Sequence, residues 1–171
     1  VVLSYLGVLA WRVAHEVLRR RRLVGLFSQY VPATVARQLI EPDRLRALTE
    51  GSRVEVTVLF CDLRGFTSMC ARMEPVEVRT VLDRFYEAVS EVLLRHGGTI
   101  MHFNGDEVFG VFGAPLEQPD HAARALRAAA EILGSGDDPL LDLPPFGIGL
   151  NSGEVVAANV GSDLRRQYTV L

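Results

Sequence analysis

The chain has 171 residues, 49% of them hydrophobic and 23% charged, and a net charge of only −3. That balance suits one substantial folded domain with an appendage; it excludes a disordered chain and gives no bulk attraction to nucleic acid. All 18 cationic side chains are Arg, which excludes lysine Schiff-base and P-loop chemistry, and the two Cys and four His have neither disulfide-framework nor zinc-ligand spacing.

The stretch from Val1 to Trp11 is almost continuously apolar and is followed by Arg12, His15, Glu16 and the run Arg19 to Arg22. A bilayer-spanning helix needs about 20 apolar residues. Residues 1–18 therefore read as the cut end of a transmembrane helix, with the arginine cluster on the cytoplasmic side. A signal peptide fits poorly, because a basic n-region and a small-residue cleavage site are missing. The competing reading is an amphipathic helix packed on a partner. Residues 19–50, in which Pro32 and Pro42 interrupt short helical pieces, read as a helical coupling segment.

The main domain opens at residue 51. Val54 to Phe60 is dense in β-branched residues and predicts a strand in which Val54, Val56, Val58, Phe60 and Asp62 share one side. Cys61 falls on the other side, as a small apolar group. The turn that follows, Leu63 to Thr67, puts backbone N–H groups at the start of a helix, a ready cradle for phosphate, with Phe66 burying its ring. From Pro75 to His96 the spacing is helical, with Val78, Leu82, Phe85, Val89 and Val92 on one stripe and Gly97-Gly98 as the stop. Thr99–Phe103 and Glu107–Phe112 then read as a hairpin joined through Asn104-Gly105. Asp120 can cap a second helix whose stripe is Ala122, Ala125, Leu126, Ala129 and Leu133. Phe146 to Gly161 supplies another strand and a glycine turn, Arg165 and Arg166 read as solvated, and Gln167 begins a last strand.

The order β-α-β-β-α-β is the ferredoxin-like arrangement, an α+β fold in which the first and third strands are antiparallel neighbours. Asp62 closes the first strand and Asp106 precedes the third, so the topology brings them to one sheet edge. Turns are commonly built of Asn, Gly and Asp, and that alone could account for Asp106. The alternative is a metal pair. Like charges held close raise each other's proton affinity unless a cation neutralises them. Oxygen donors with open positions suit Mg2+ or Mn2+ bound together with phosphate.

Three motifs follow in order over Glu55 to Leu171: "VTVLFCDLRGFTSM", "GGTIMHFNGDEVFGVFGAP" and "IGLNSGEVVAANVGSDLRRQYTVL". Together they resemble the catalytic domain of class III nucleotidyl cyclases. The upstream "FSQYVPATVARQLIEPDRL" is similar to the coupling region of bacterial membrane cyclases that carry an extracytoplasmic sensor. The resemblance implies a cyclase domain over residues 51–171, truncated at its C-terminus, in an adenylate cyclase that converts ATP to 3′,5′-cyclic AMP and pyrophosphate. It implies two divalent ions, Mg2+ or Mn2+, on Asp62, Asp106 and the Leu63 carbonyl. The backbone of Gly65, Phe66 and Thr67, with Gly105 of the hairpin turn, would hold the nucleotide. It further implies a head-to-tail homodimer with shared active sites, at the cell membrane through the N-terminal segment and with the catalytic domain cytoplasmic.

Two departures from the family pattern stand out. The first is its base-reading Lys, which aligns with His102, while its second base-reading position, often Asp, aligns with Thr169, as in many bacterial members. A neutral imidazole can donate or accept at adenine but is no fixed cation, so ATP is the expected substrate and GTP the alternative. The family's catalytic Asn and Arg fall just beyond Leu171, so this polypeptide alone is expected to be inactive or nearly so. The rival readings are a non-catalytic cyclase-like module that dimerises or binds nucleotide, and a guanylate cyclase. A diguanylate cyclase would carry Gly-Gly-Asp/Glu-Glu-Phe in the hairpin, where this chain has "FNGDEVF".

Overall fold

Ser52–Leu63 form a 12-residue strand, β1, that runs through the middle of the sheet and organises everything around it. The computed structural model describes residue 11 and residues 51–136, 138–162 and 166–171. The readings for residues 1–18 and 19–50 thus lie outside the described residues, Trp11 apart. Among the described residues no helix is long and apolar enough to cross a membrane.

After β1 come a short helix α1 (Phe66–Cys70), a long helix α2 (Pro75–Arg95), β2 (Thr99–Asn104), β3 (Glu107–Phe112), α3 (His121–Ser135), β4 (Phe146–Gly161) and β5 (Arg166–Val170). The sheet order is β2-β3-β1-β4-β5, and each neighbouring pair is antiparallel. This is the expected βαββαβ arrangement, with β5 added outside β4.

Alternation along β1 sorts its side chains onto two faces. Leu59, Cys61 and Leu63 are buried with Val81, Phe85, Val89, Val92 and Leu93 of α2 and Ala125, Ala128, Ala129 and Ile132 of α3. On the other face Val56 packs with Met101, Phe109, Val111, Ala114 and Ala157, all from strands or their ends, and no described helix covers them. Val78 and Leu82 of the expected α2 stripe are only half-buried, while Val81 and Leu93 are buried.

Helix α2 has a capping box, in which the Glu74 and Glu77 side chains each accept from the other's backbone N–H, and Pro75 stands in its first turn. At its end Gly97 N–H donates to Leu94 and Gly98 N–H to Leu93, the paired bonds of a Schellman stop.

In α3 the outcome differs from the expected stripe. Ala125 and Ala129 are buried, but Leu126 is 64% and Leu133 53% exposed, and Ala122 is exposed. Ala128 and Ile132 take their places. The helix meets the sheet through three alanines, so its backbone approaches closely and the bulkier leucines are left outside. Asp120 does stand at the N-cap position, but its side chain caps no backbone N–H and instead accepts from Arg124 at 2.7 Å.

Cys61 is fully buried, and burial, followed by the neighbouring Asp62 charge, pushes its thiol up to about 12. Cys70 is half-buried. Alkylation of the native chain at pH 8 should therefore label Cys70 and spare Cys61, with both labelled in denaturant; peptide mass analysis reads the sites. The raised thiol also sets a sign. The folded chain holds that proton more tightly than the unfolded one, so its contribution to stability is complete below the ordinary thiol value and is lost as pH climbs towards 12.

Candidate active site

The β1–β3 ladder runs from Thr57↔Phe112 to Asp62↔Glu107, so Asp106 lies one residue past the last pair, beside Asp62. The Leu63 N–H donates to the Asp106 carbonyl at 3.3 Å, which ties the end of β1 to the hairpin turn. The two side chains meet as the topology requires: when protonated, the Asp62 carboxyl is within hydrogen-bonding reach of Asp106. Partial loss of solvent, then the Asp106 charge, then that hydrogen bond raise the Asp62 pKa above the usual carboxylate value.

The hairpin turn itself is shifted by one residue from expectation. Asn104 pairs with Glu107, so the central residues are Gly105 and Asp106 rather than Asn104 and Gly105. Gly105 has φ +64° and Asp106 is not among the positive-φ residues, the sign pattern of a II′ hairpin with Gly first. The shift puts Asp106 in the turn proper, free of the ladder.

On the other side of Asp62 the chain turns through Gly65, which has φ +71° and stands at the N-cap of α1. No side chain caps α1, and Met69 N–H is already the first to reach back to the Gly65 carbonyl. The N–H groups of Gly65, Phe66 and Thr67 belong to the first turn, whose donors have no intrahelical acceptor. A Cβ built at Gly65 or at Gly105 would meet nothing within 4 Å, so both turns border open space. The Phe66 ring packs against the core on the helical side, as expected.

His102 sits on β2 opposite Phe109, on the face that no described helix covers. Its ring meets the Phe109 edge at 5.1 Å and 62°, and Phe109 in turn stacks on Phe60 at 4.4 Å. The His102 Nδ1 atom is buried and has no hydrogen-bond partner. Thr169 is placed elsewhere. It pairs with Ala158 on β4, whereas Asp62 pairs with Gly147. At about 3.3 Å per residue those points lie about 35 Å apart along the strand. Within one chain the structure gathers Asp62, Leu63, Gly65, Phe66, Thr67, Gly105 and Asp106, leaves His102 on the adjoining strand, and does not bring in Thr169. Arg165 and the Arg166 side chain lie outside the described residues.

Tyr86 is a further residue of the site, one that no motif in the sequence marks. This residue of α2 stacks on Phe103 at 4.4 Å and 24°, and its hydroxyl donates to the Gly105 carbonyl. Burial, then the Asp106 and Asp83 charges, raise its pKa, so the hydroxyl stays protonated and able to donate. The available signal was an aromatic residue with a polar tip immediately beside the core stripe at Phe85.

Two carboxylates brought side by side between turns that border open space form a donor set that suits Mg2+ or Mn2+. Among the described residues no third His, Cys, Asp or Glu completes a cage around them.

Residues 49–171 match the adenylate and guanylate cyclase catalytic domain family, and the chain belongs to that family. It is 32% identical over 160 residues to adenylate cyclase 1 of Rhizobium meliloti (strain 1021), covering 90% of this chain and 24% of that protein. The chain thus spans about a quarter of that relative's length. Among solved structures it resembles the guanylyl cyclase Cya2, at 39% identity and a TM-score of 0.59, over 71% of this chain and 65% of that one. It also resembles the adenylyl cyclase CyaB from P. aeruginosa, at 28% identity and a TM-score of 0.66, over 71% of this chain and 67% of that one.

Proposed function

We propose that this chain carries the nucleotide-binding part of an adenylate cyclase that works as a homodimer and is anchored to the cell membrane through its N-terminal segment, with the catalytic domain in the cytoplasm. The observation that carries this reading is the placement of Asp62 and Asp106 side by side at the end of the β1–β3 ladder, tied by the Leu63 N–H to the Asp106 carbonyl. Two divalent ions held there by Asp62, Asp106 and the Leu63 carbonyl would activate the attacking oxygen and neutralise the leaving pyrophosphate.

The chain's own groups then have defined tasks. The first-turn N–H groups from Gly65 to Thr67 donate to triphosphate oxygens and fix the chain of phosphates along the turn. In the reaction the ribose 3′-oxygen forms a bond to the α-phosphorus, the bond from that phosphorus to the bridging oxygen breaks, pyrophosphate leaves, and the 3′-hydroxyl proton passes to solvent. The orphaned Nδ1 of His102 is free to exchange one hydrogen bond with the base. A buried polar atom without a partner costs about 1–3 kcal/mol, which a bound base would relieve.

Two features support a site shared between chains. The sheet face carrying Phe60, 39% exposed, and Phe109 is apolar and uncovered by any described helix. Thr169, on β5 beside the far end of β4, can approach a substrate on Asp62 only from a second copy.

The discriminating experiment is an assay of the full-length protein with Mn2+ and either ATP or GTP. The expected product is cyclic AMP from ATP. Cyclic GMP alone would transfer the reading to a guanylate cyclase, and no product at saturating nucleotide would leave a non-catalytic module.

A further inference from the structure

Asp106 is presented by a turn of only two residues, and its neighbour Gly105 has the least restrained backbone of any residue type. A carboxylate that must meet another at one cation needs that turn held still. Two carbonyls hold it. That of Asp106 accepts from the Leu63 N–H of β1, and that of Gly105 accepts from the Tyr86 hydroxyl of α2. Tyr86 is fixed in turn, because its ring stacks on Phe103 of β2 and packs against the core beneath α2. The turn is thereby strapped to the central strand on one side and to the long helix on the other.

From this geometry we infer that Tyr86 is a positioning residue, which locks the Gly105–Asp106 turn so that the Asp106 carboxylate stays in register with Asp62 for a shared divalent cation. This rests on the cation reading given under Proposed function. A ring placed only to fill space needs no hydroxyl, since Phe would make the same stack on Phe103. The hydroxyl acts on the turn alone. Without it the turn samples several orientations, and apparent affinity falls by the fraction of time the carboxylate spends in place. Loss of partners that orient a ligand typically costs 10- to 100-fold in metal affinity.

The test is a titration of the full chain with Mn2+ alone, following the free-ion signal by electron paramagnetic resonance, on the wild type, Tyr86→Phe and Asp106→Ala. The wild type should bind Mn2+, Asp106→Ala should not, and Tyr86→Phe should bind about tenfold more weakly, with folded fraction and melting temperature unchanged by circular dichroism. In the assay of the full-length protein, Tyr86→Phe should raise the Mn2+ activation constant by a similar factor and recover its maximal rate at saturating Mn2+. A merely structural tyrosine would lower the melting temperature and leave Mn2+ affinity where it was. Wild-type affinity in Tyr86→Phe, with Asp106→Ala still defective, overturns the positioning role and leaves the cation site standing. Equal binding by wild type and Asp106→Ala overturns both.

Discussion

Asp106→Ala in the full-length protein should reduce metal-dependent cyclic nucleotide formation by at least about 1000-fold while leaving the fold intact. Removing a single electrostatic stabiliser of a transition state costs about 100- to 1000-fold, and Asp106 is assigned to both cations. Its turn position explains why the fold survives. The side chain is only half-buried, its own carbonyl bond to Leu63 is main-chain, and Ala keeps that bond. Turn substitutions without buried partners usually change stability by no more than about 0.5 kcal/mol. The carboxylate pair even opposes folding at neutral pH. Because Asp62 binds its proton more tightly in the folded chain, stability falls as pH rises from the ordinary Asp value through the raised one. In Asp106→Ala that fall should shrink, and the Asp62 carboxyl should titrate closer to its ordinary range, as side-chain NMR would show. Activity within tenfold of wild type, with Asp62 unmoved, would remove Asp106 from the site.

Gly113→Ala should be the most damaging single-methyl change in the sheet, by about 3 kcal/mol or more. Gly113 follows β3 with φ +99°, and an added Cβ would lie 2.7 Å from the Glu55 carbonyl oxygen and 3.3 Å from the Val56 Cα. Both neighbours are main-chain atoms of the central strand, so relief requires moving β1 itself. Gly105→Ala provides the contrast. It has φ +64° but nothing within 4 Å, so only the backbone conformation is penalised, by about 1 kcal/mol. Urea unfolding of the two variants should separate them by about 2 kcal/mol or more. Equal losses would show that the space around Gly113 is not what limits it.

Much of this architecture was legible because it is written in short-range chemistry. Dense β-branched sequence marks β1, heptad-like spacing and Gly97-Gly98 bound α2, and Asn-Gly-Asp marks the hairpin. Once the βαββαβ order was in hand, antiparallel pairing of β1 with β3 brought Asp62 and Asp106 together without further information. What escaped lay where two patterns compete. In α3 an Ala- and Leu-rich helix offers two stripes of equal periodicity, and close approach to the sheet selects Ala125, Ala128, Ala129 and Ile132 over the larger leucines. At the hairpin both Asn104-Gly105 and Gly105-Asp106 satisfy turn chemistry, and the ladder chooses the second. Tyr86 escaped for a different reason. Its role depends on a contact from α2 to a turn 19 residues away, which no local periodicity encodes.

Every activity expected above depends on Asp62 and Asp106 acting together as a cation-and-phosphate clamp. The most direct measurement is the number of Mn2+ ions bound per active site by the full-length protein in the presence of 3′-deoxy-ATP, which can bind but lacks the attacking hydroxyl. Two protein-dependent ions are expected in the wild type and neither in the variant that combines Asp62→Asn with Asp106→Asn. Undiminished Mn2+ binding in that variant would contradict the clamp.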